Sequence, residues 1–281
     1  MILFPNAKIN LGLRILRRRP DGYHDIDSVL VPIGWSDILE IVPAPAGEST
    51  SLTCTGRPVA CPPEKNLVMK AWRAMAERFP EMPQARIFLR KIVPDGAGLG
   101  GGSSDAAFTL RGLNELFGCG LDTDGLAAIA ATIGADCPFF IYNRPMLVSG
   151  TGTTLAPADT DLDGLHIAIA KPEGRSVSTA EAYAGVTPHD PGTTVADALA
   201  MPRNRWQREL VNDFEPSVGA RLPEIDLLKA RMLAAGAVYT AMSGSGSAVF
   251  GLFESANLAE RAVSALDDCA CWTGLMKPQG V

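Results

Sequence analysis

The 281 residues make one large domain or two ordinary ones, long enough in either case to bury a substantial core. A hydrophobic content of 47% with 20% charged residues excludes a disordered chain, and a formal net charge of −6 argues against a general nucleic-acid binder, which would be basic. The N-terminal run Met1-Ile2-Leu3-Phe4-Pro5 has no charged leader, no stretch reaches the ~18 apolar residues of a membrane span, and the six cysteines show neither a C-x-x-C pair nor metal-ligand spacing with the three histidines. A cytoplasmic protein with free thiols is expected.

Residues 2–16 alternate, with Ala7, Ile9, Leu11, Leu13 and Ile15 on one face and Lys8, Asn10, Gly12 and Arg14 on the other. This period of two predicts a half-buried strand and sets Lys8 beside Asn10. Arg14, Arg17, Arg18 and Arg19 form a basic cluster, read as a solvated strand end and turn or as a patch that steers an anionic ligand. Arg19-Pro20-Asp21-Gly22 is a turn that leaves Tyr23 and His24 projecting. Strands are expected over 28–33, 37–41 and 51–54, then a helix over 66–79 with Val68, Ala71, Trp72, Met75 and Phe79 as its apolar stripe.

The β-prone segment 85–93 runs into Pro94-Asp95-Gly96-Ala97-Gly98-Leu99-Gly100-Gly101-Gly102-Ser103-Ser104 and then a helix carrying Ala106, Ala107, Leu110, Leu113 and Phe117. Glycine-rich backbone ahead of a helix N-terminus presents unpaired N–H groups and the positive end of the helix dipole, a combination suited to phosphate. Residues 96–101 also satisfy G-x-G-x-x-G, but Pro94 and Asp95 separate the strand from the first glycine, and a helix follows where the dinucleotide fold needs a second strand. No lysine follows a glycine, which excludes a Walker A loop, and the protein-kinase signatures H-R-D and D-F-G are absent.

Asp122 is placed to cap a helix closed by Gly134, followed by Gly134-Ala135-Asp136-Cys137-Pro138 and an apolar strand over 139–142. The glycine-punctuated stretch 146–154 suggests a boundary between domains 1–150 and 151–281. Beyond it the chain reads as strand 165–170, a short helix 178–184, an irregular helical stretch ending in Asn212-Asp213-Phe214-Glu215, helix 223–235, strand 237–242, the loop Ser243-Gly244-Ser245-Gly246-Ser247, strand 248–253, helix 256–266 and strand 272–276. That order suggests a compact α+β sandwich. A lysine on a strand face and an acid at a helix–strand junction each have an ordinary structural reading, the first as a solvated side chain and the second as a turn or cap residue.

Lys8 and Asn10, the long glycine loop and the second Gly/Ser loop together resemble the GHMP kinase superfamily. Pro5-Asn6-Ala7-Lys8-Ile9-Asn10-Leu11, Asp21-Gly22-Tyr23-His24, Gly101-Gly102 before Ser103-Ser104, Gly134-Ala135-Asp136-Cys137-Pro138 and Asn212-Asp213-Phe214-Glu215 are similar, in order, to members acting on a cytidine diphosphate derivative of methylerythritol. The resemblance implies a two-lobed α+β fold, with an N-terminal ribosomal-protein-S5-domain-2-like lobe and a C-terminal ferredoxin-like α/β sandwich lobe. It implies transfer of the ATP γ-phosphoryl to an alcohol, with Lys8 and Asp136 as the catalytic pair and residues 94–104 (Pro94, Asp95, Gly96, Ala97, Gly98, Leu99, Gly100, Gly101, Gly102, Ser103 and Ser104) on the triphosphate. Asn10, Tyr23, His24 and Tyr183 would hold the cytidine end, Ser243, Gly244, Ser245 and Gly246 would close on the site, and Asn66 and Lys91 would lie near the adenine. Mg2+ is expected, although no local motif fixes its ligands.

Asp105 stands where some relatives carry asparagine, and is expected to point away from phosphate or to meet the metal. A monomer or weak homodimer with a small-molecule substrate, and with neither nucleic acid nor membrane as partner, is implied. The alternatives are a homoserine- or mevalonate-type kinase of the same superfamily, a non-catalytic ligand-sensing homologue, or an RNA-binding module, the last opposed by the acidic net charge.

Overall fold

The computed structural model describes residues 1–276 apart from 60, 265 and 267. The chain opens with β1 (Ile2–Leu3), β2 (Asn6–Arg18), β3 (His24–Ser36), β4 (Ile38–Pro43) and β5 (Ser51–Gly56), then α1 (Leu67–Arg78) and β6 (Ala85–Lys91). Three helices follow the glycine loop: α2 (Gly101–Leu116), α3 (Thr123–Ile133) and α4 (Cys137–Tyr142). Next come β7 (Met146–Gly150), β8 (Thr154–Pro157), β9 (His166–Pro172), α5 (Thr179–Ala184), α6 (Val195–Leu199), α7 (Trp206–Glu209) and α8 (Glu215–Gly219). The chain ends in α9 (Glu224–Ala234), β10 (Tyr239–Met242), β11 (Val249–Phe253), α10 (Ala256–Val263) and β12 (Cys269–Leu275). Residue 265, placed in the last helix by the sequence, lies outside the described residues.

These elements sort into two compact units. The first holds Met1–Ala7, Trp35–Asp95 and Gly100–Asn143. Its sheet has the order β1-β4-β6-β5, antiparallel except for the β5–β6 pair. Asn66 caps α1 by accepting from the Val68 N–H at 2.9 Å, and Asp122 caps α3 by accepting from Gly125 at 2.8 Å, so both helix starts lie where the sequence puts them. Helix α2 rests on β4, and a Cβ on Gly112 would lie 2.7 Å from Leu3 Cδ1 and 2.8 Å from Ile41 Cδ1. A larger residue there would have to push those two side-chain ends aside.

The segment 139–142, expected as a strand, is the C-terminal part of α4. Pro138 fits the first helical turn, where its missing N–H costs nothing, and Asn143 ends the helix at φ 47°. Phe139, Phe140 and Ile141 are all buried, so the run carries no periodicity to separate helix from strand.

The second unit holds Lys8–Gly34, Gly96–Leu99 and the chain from Arg144 onward. Strands β2-β3-β7-β8 form one sheet, in which the stretch 146–154 is the β7–β8 hairpin, with β7 paired to β3. Strands β9, β10, β11 and β12 form the other, in the order β10-β11-β9-β12 with every pair antiparallel. With α9 before β10 and α10 before β12, this is the β-α-β-β-α-β ferredoxin-like pattern. Both helices pack on that sheet, over a core that includes Ile225, Leu228, Met232, Val249, Phe253 and Ala259.

Strand β10 is an edge, and its backbone is occupied by side chains. Gln207 donates from Nε2 to Thr240 O at 3.1 Å and accepts from Thr240 N at 2.9 Å, while Glu215 Oε1 accepts from Met242 N at 2.7 Å.

The basic cluster is not uniformly solvated. Arg17 and Arg19 pair with Asp25, and Arg19 also with Asp21, at the surface. Arg14, in contrast, is buried, with an Nη donating to Glu209 O at 2.9 Å and Nε without a partner.

Candidate active site

In the second unit, the alternation of β2 places Lys8 and Asn10 on one buried face, each about 4% exposed. Lys8 Nζ donates to Asn10 Oδ1 at 2.6 Å, Asn10 Nδ2 donates to Ser28 Oγ at 2.9 Å, and Ser28 Oγ donates to Gly12 O at 2.7 Å. The relay fixes the amide with its oxygen toward the ammonium, so Lys8 is held in the interior rather than extended into water. Ser28 was not singled out from the sequence. Its signal was a hydroxyl at the head of the apolar run Val29-Leu30-Val31, which a strand can bury only if it is bonded.

The two glycine-rich segments meet within this unit. Gly98 has φ 74°, and a Cβ there would lie 1.9 Å from Ser243 O. Ser243 Oγ donates to Gly98 O at 2.9 Å, Ala248 N to Ala97 O at 3.1 Å, and Lys8 N to Leu99 O at 2.9 Å. A Cβ on Gly244 would lie 3.4 Å from Lys8 Nζ. Lys8, residues 97–99 and the 243–247 loop therefore form one contiguous patch.

Tyr23 is 66% exposed at its turn. His24 stacks on Tyr183 with ring centroids 4.8 Å apart and planes 18° apart, and Tyr183 meets Phe214 edge-on at 4.8 Å. Ser178 caps α5 and so orients Tyr183. The shelf is suited to a flat heterocycle.

In the first unit, Pro94 is buried and Asp95 exposed, and α2 starts after Gly100, which is left-handed at φ 72°. Gly101, Gly102 and Ser103 are half-buried in the first turn, whereas Ser104 is fully buried and its Oγ has no partner. Asp136 is the N-cap residue of α4, but its carboxylate makes no capping bond to that helix. Beside it the Cys137 thiol is pushed up to about 11, chiefly by burial, and is not a nucleophile at neutral pH.

Lys91 and Asp105 lie together in the interior of the first unit. Lys91 is buried and pairs with Asp37 and, at 2.7 Å, with Asp105 Oδ2. Asp37 Oδ1 also accepts from the N–H groups of Ile92 and Val93, at 2.5 and 2.9 Å, just before the glycine loop. Burial alone would lower the Lys91 ammonium, but the two carboxylates raise it; Asp105 is pushed up to about 8 by burial, with Asp37 adding repulsion against the pull of Lys91. Asp105 thus belongs to a buried cluster with Lys91 and Asp37. Asn66 caps α1.

Two family models match the chain: GHMP kinases N terminal domain over residues 66–144 and GHMP kinases C terminal over residues 196–270. A protein of Parabacteroides distasonis called 4-diphosphocytidyl-2-C-methyl-D-erythritol kinase is 49% identical over 98% of this chain and 99% of its own length. The chain belongs to the 4-diphosphocytidyl-2-C-methyl-D-erythritol kinase family. A relative of the same name from Porphyromonas gingivalis is 45% identical over 98% of this chain and 100% of its own. A crystal structure of a 4-(cytidine 5'-diphospho)-2C-methyl-D-erythritol kinase superposes with a TM-score of 0.81 at 35% identity, covering 98% of each chain. A homoserine kinase from Cytophaga hutchinsonii, at 18% identity and a TM-score of 0.71 over 98% of this chain and 96% of its own, shares the fold. The fold is the α+β fold of the GHMP kinases, and the protein is an ATP-dependent kinase of small molecules. Among the described residues no helix is long and apolar enough to cross a membrane.

Proposed function

We propose that the protein transfers the γ-phosphoryl of ATP to the 2-hydroxyl of 4-diphosphocytidyl-2-C-methyl-D-erythritol. The observation that carries this reading is 49% identity, over nearly the whole of both chains, to a relative of that name. In this reading the enzyme acts in the non-mevalonate route to isopentenyl and dimethylallyl diphosphate, in the cytoplasm, on a small-molecule substrate.

Phosphoryl transfer relies on positioning and charge stabilisation more than on covalent chemistry by the protein. In this reading, Asp136 accepts the proton of the attacking hydroxyl, a role compatible with a carboxylate that does not cap its helix. Lys8 offsets the negative charge that develops on the transferring group, and Asn10 fixes its direction. Residues 94–104 bind the triphosphate through backbone N–H groups and the start of α2, and Ser243, Gly244, Ser245 and Gly246 close over it. Asn10, Tyr23, His24 and Tyr183 hold the cytidine end, with the His24–Tyr183 stack as its platform.

Mg2+ is proposed to arrive with the phosphates. Among the described residues no three acidic, histidine or cysteine side chains cluster to hold a metal, and a Mg2+ ion would take its ligands largely from phosphate oxygens and water. When bound, it neutralises charge on the β- and γ-phosphates.

The test is ADP release measured in parallel with 4-diphosphocytidyl-2-C-methyl-D-erythritol, homoserine and mevalonate, on the native protein and on Asp136→Ala. Turnover with the first alcohol alone, lost in the variant while ATP still binds, is expected. Turnover with another alcohol would overturn the substrate assignment. ATP binding without any turnover would indicate a sensing protein.

A further inference from the structure

Asn212 opens the motif Asn212-Asp213-Phe214-Glu215. Its side chain is 3% exposed, yet it is placed against three backbone groups. Nδ2 donates to Met242 O and to Gly244 O, each at 2.8 Å, and Oδ1 accepts from Phe214 N at 3.0 Å. Both protons of the amide are used at the start of the 243–247 loop, and its oxygen holds the segment that carries Phe214.

That segment is itself fastened to β2. Leu13 N donates to Val211 O at 2.9 Å, Asp213 N donates to Leu13 O at 2.9 Å, and Ile15 N donates to Asp213 Oδ2 at 2.7 Å. Asn212 is thus a rigid post on the strand that carries Lys8, and the loop hangs from it. The loop in turn meets Gly98 through Ser243 Oγ, and Gly244 comes within 3.4 Å of Lys8 Nζ where a Cβ would stand.

We propose that Asn212 is a positioning residue for phosphoryl transfer, whose side-chain amide sets the 243–247 loop against Gly98 and Lys8. The inference rests on the kinase reading of the two glycine loops. The amide acts through the loop and touches no reacting atom. Its chemistry is specific: a carboxylate of the same shape could still accept from Phe214 N, but its second oxygen would face two carbonyl oxygens. Asn212→Asp therefore releases the loop and keeps the shelf side intact.

The experiment is steady-state kinetics of native protein, Asn212→Asp and Asn212→Ser, with circular dichroism and thermal melting of each. For N212D, KM for ATP is expected to rise at least tenfold and kcat to fall at least a hundredfold, with KM for the cytidine-bearing alcohol within threefold of native. N212S, which keeps one donor and introduces no repulsion, should fall between. A purely structural role would lower the melting temperature and the active fraction while leaving both KM values unchanged, and that result would overturn the proposal. Should N212D fail to fold, N212S decides on the same two KM values. Native protein inactive with every alcohol would overturn the kinase reading and this inference with it. Active native protein with unaltered KM for ATP in the variants would overturn this inference alone.

Discussion

Lys8 Nζ and Asn10 Oδ1, two residues apart on β2, lie 2.6 Å from each other in the buried part of the second unit. A buried ammonium directed by an amide has its position set before any substrate arrives. Replacing Lys8 by methionine keeps most of the volume and removes the charge. A fall in kcat of about 10²–10⁴ is expected, the range attached to a positioned acid–base or electrostatic group, with little change in KM for ATP. ADP-release kinetics measure both, and a kcat within threefold of native would remove Lys8 from the chemistry.

The His24–Tyr183 stack supplies a second prediction. Tyr183→Leu removes the aromatic platform while keeping an apolar side chain against Phe214. Base–aromatic stacking contributes ~1–3 kcal/mol, so KM for the cytidine-bearing alcohol should rise by about fivefold to 150-fold, and KM for ATP should not.

Glycines of the long loop separate steric from ligand-binding demands. At Gly98 a Cβ would overlap Ser243 O, so Gly98→Ala is expected to lower both the melting temperature and the activity. At Gly102 the nearest atom to a Cβ would be Leu67 Cδ1 at 3.7 Å, an ordinary contact. Gly102→Ala should therefore leave stability unchanged or raise it by up to about 1 kcal/mol, since alanine is the better helix former. If phosphate approaches the backbone there, KM for ATP will nevertheless rise. Unchanged ATP binding in that variant would move the phosphate site elsewhere along the loop.

Asp105 predicts a pH effect with a definite sign. Its carboxyl is pushed up from 3.8 to about 8 in the fold, so at intermediate pH the native state keeps a proton that the unfolded chain has released. The stability this contributes is fully present below the unfolded value, erodes as pH rises, and is gone above about 8. Asp105→Asn has no such titration, and its amide can donate to Asp37 in place of the shared proton. Urea midpoints at pH 5, 7 and 8.5 should show native protein losing stability relative to the variant as pH rises. Parallel curves would mean that Asp105 is ionised throughout.

Local patterns served the sequence reading well. The alternation of residues 7–15 located β2 and the Lys8–Asn10 adjacency, and Asn66 and Asp122 located two helix starts, because each signal is complete within a few residues. Helix α4 was misread because Phe139-Phe140-Ile141 is buried on every side, and only Pro138 spoke for a helix. Partners distant in sequence were invisible. Lys91 is matched to Asp37 and Asp105, Arg14 to Glu209, and Asn212 to residues 242 and 244. Nothing local distinguishes a lysine or arginine destined for such company from a solvated one.

The occupied edge of β10 bears on how copies of the chain can meet. Gln207 satisfies both backbone groups of Thr240, and Glu215 and Asn212 take the N–H and C=O of Met242. An exposed sheet margin is a template onto which another chain can crystallise, and here the template is already written over by the protein's own side chains. Strand addition along that border is blocked at both Thr240 and Met242, and Gln207→Ala would free only the first of them.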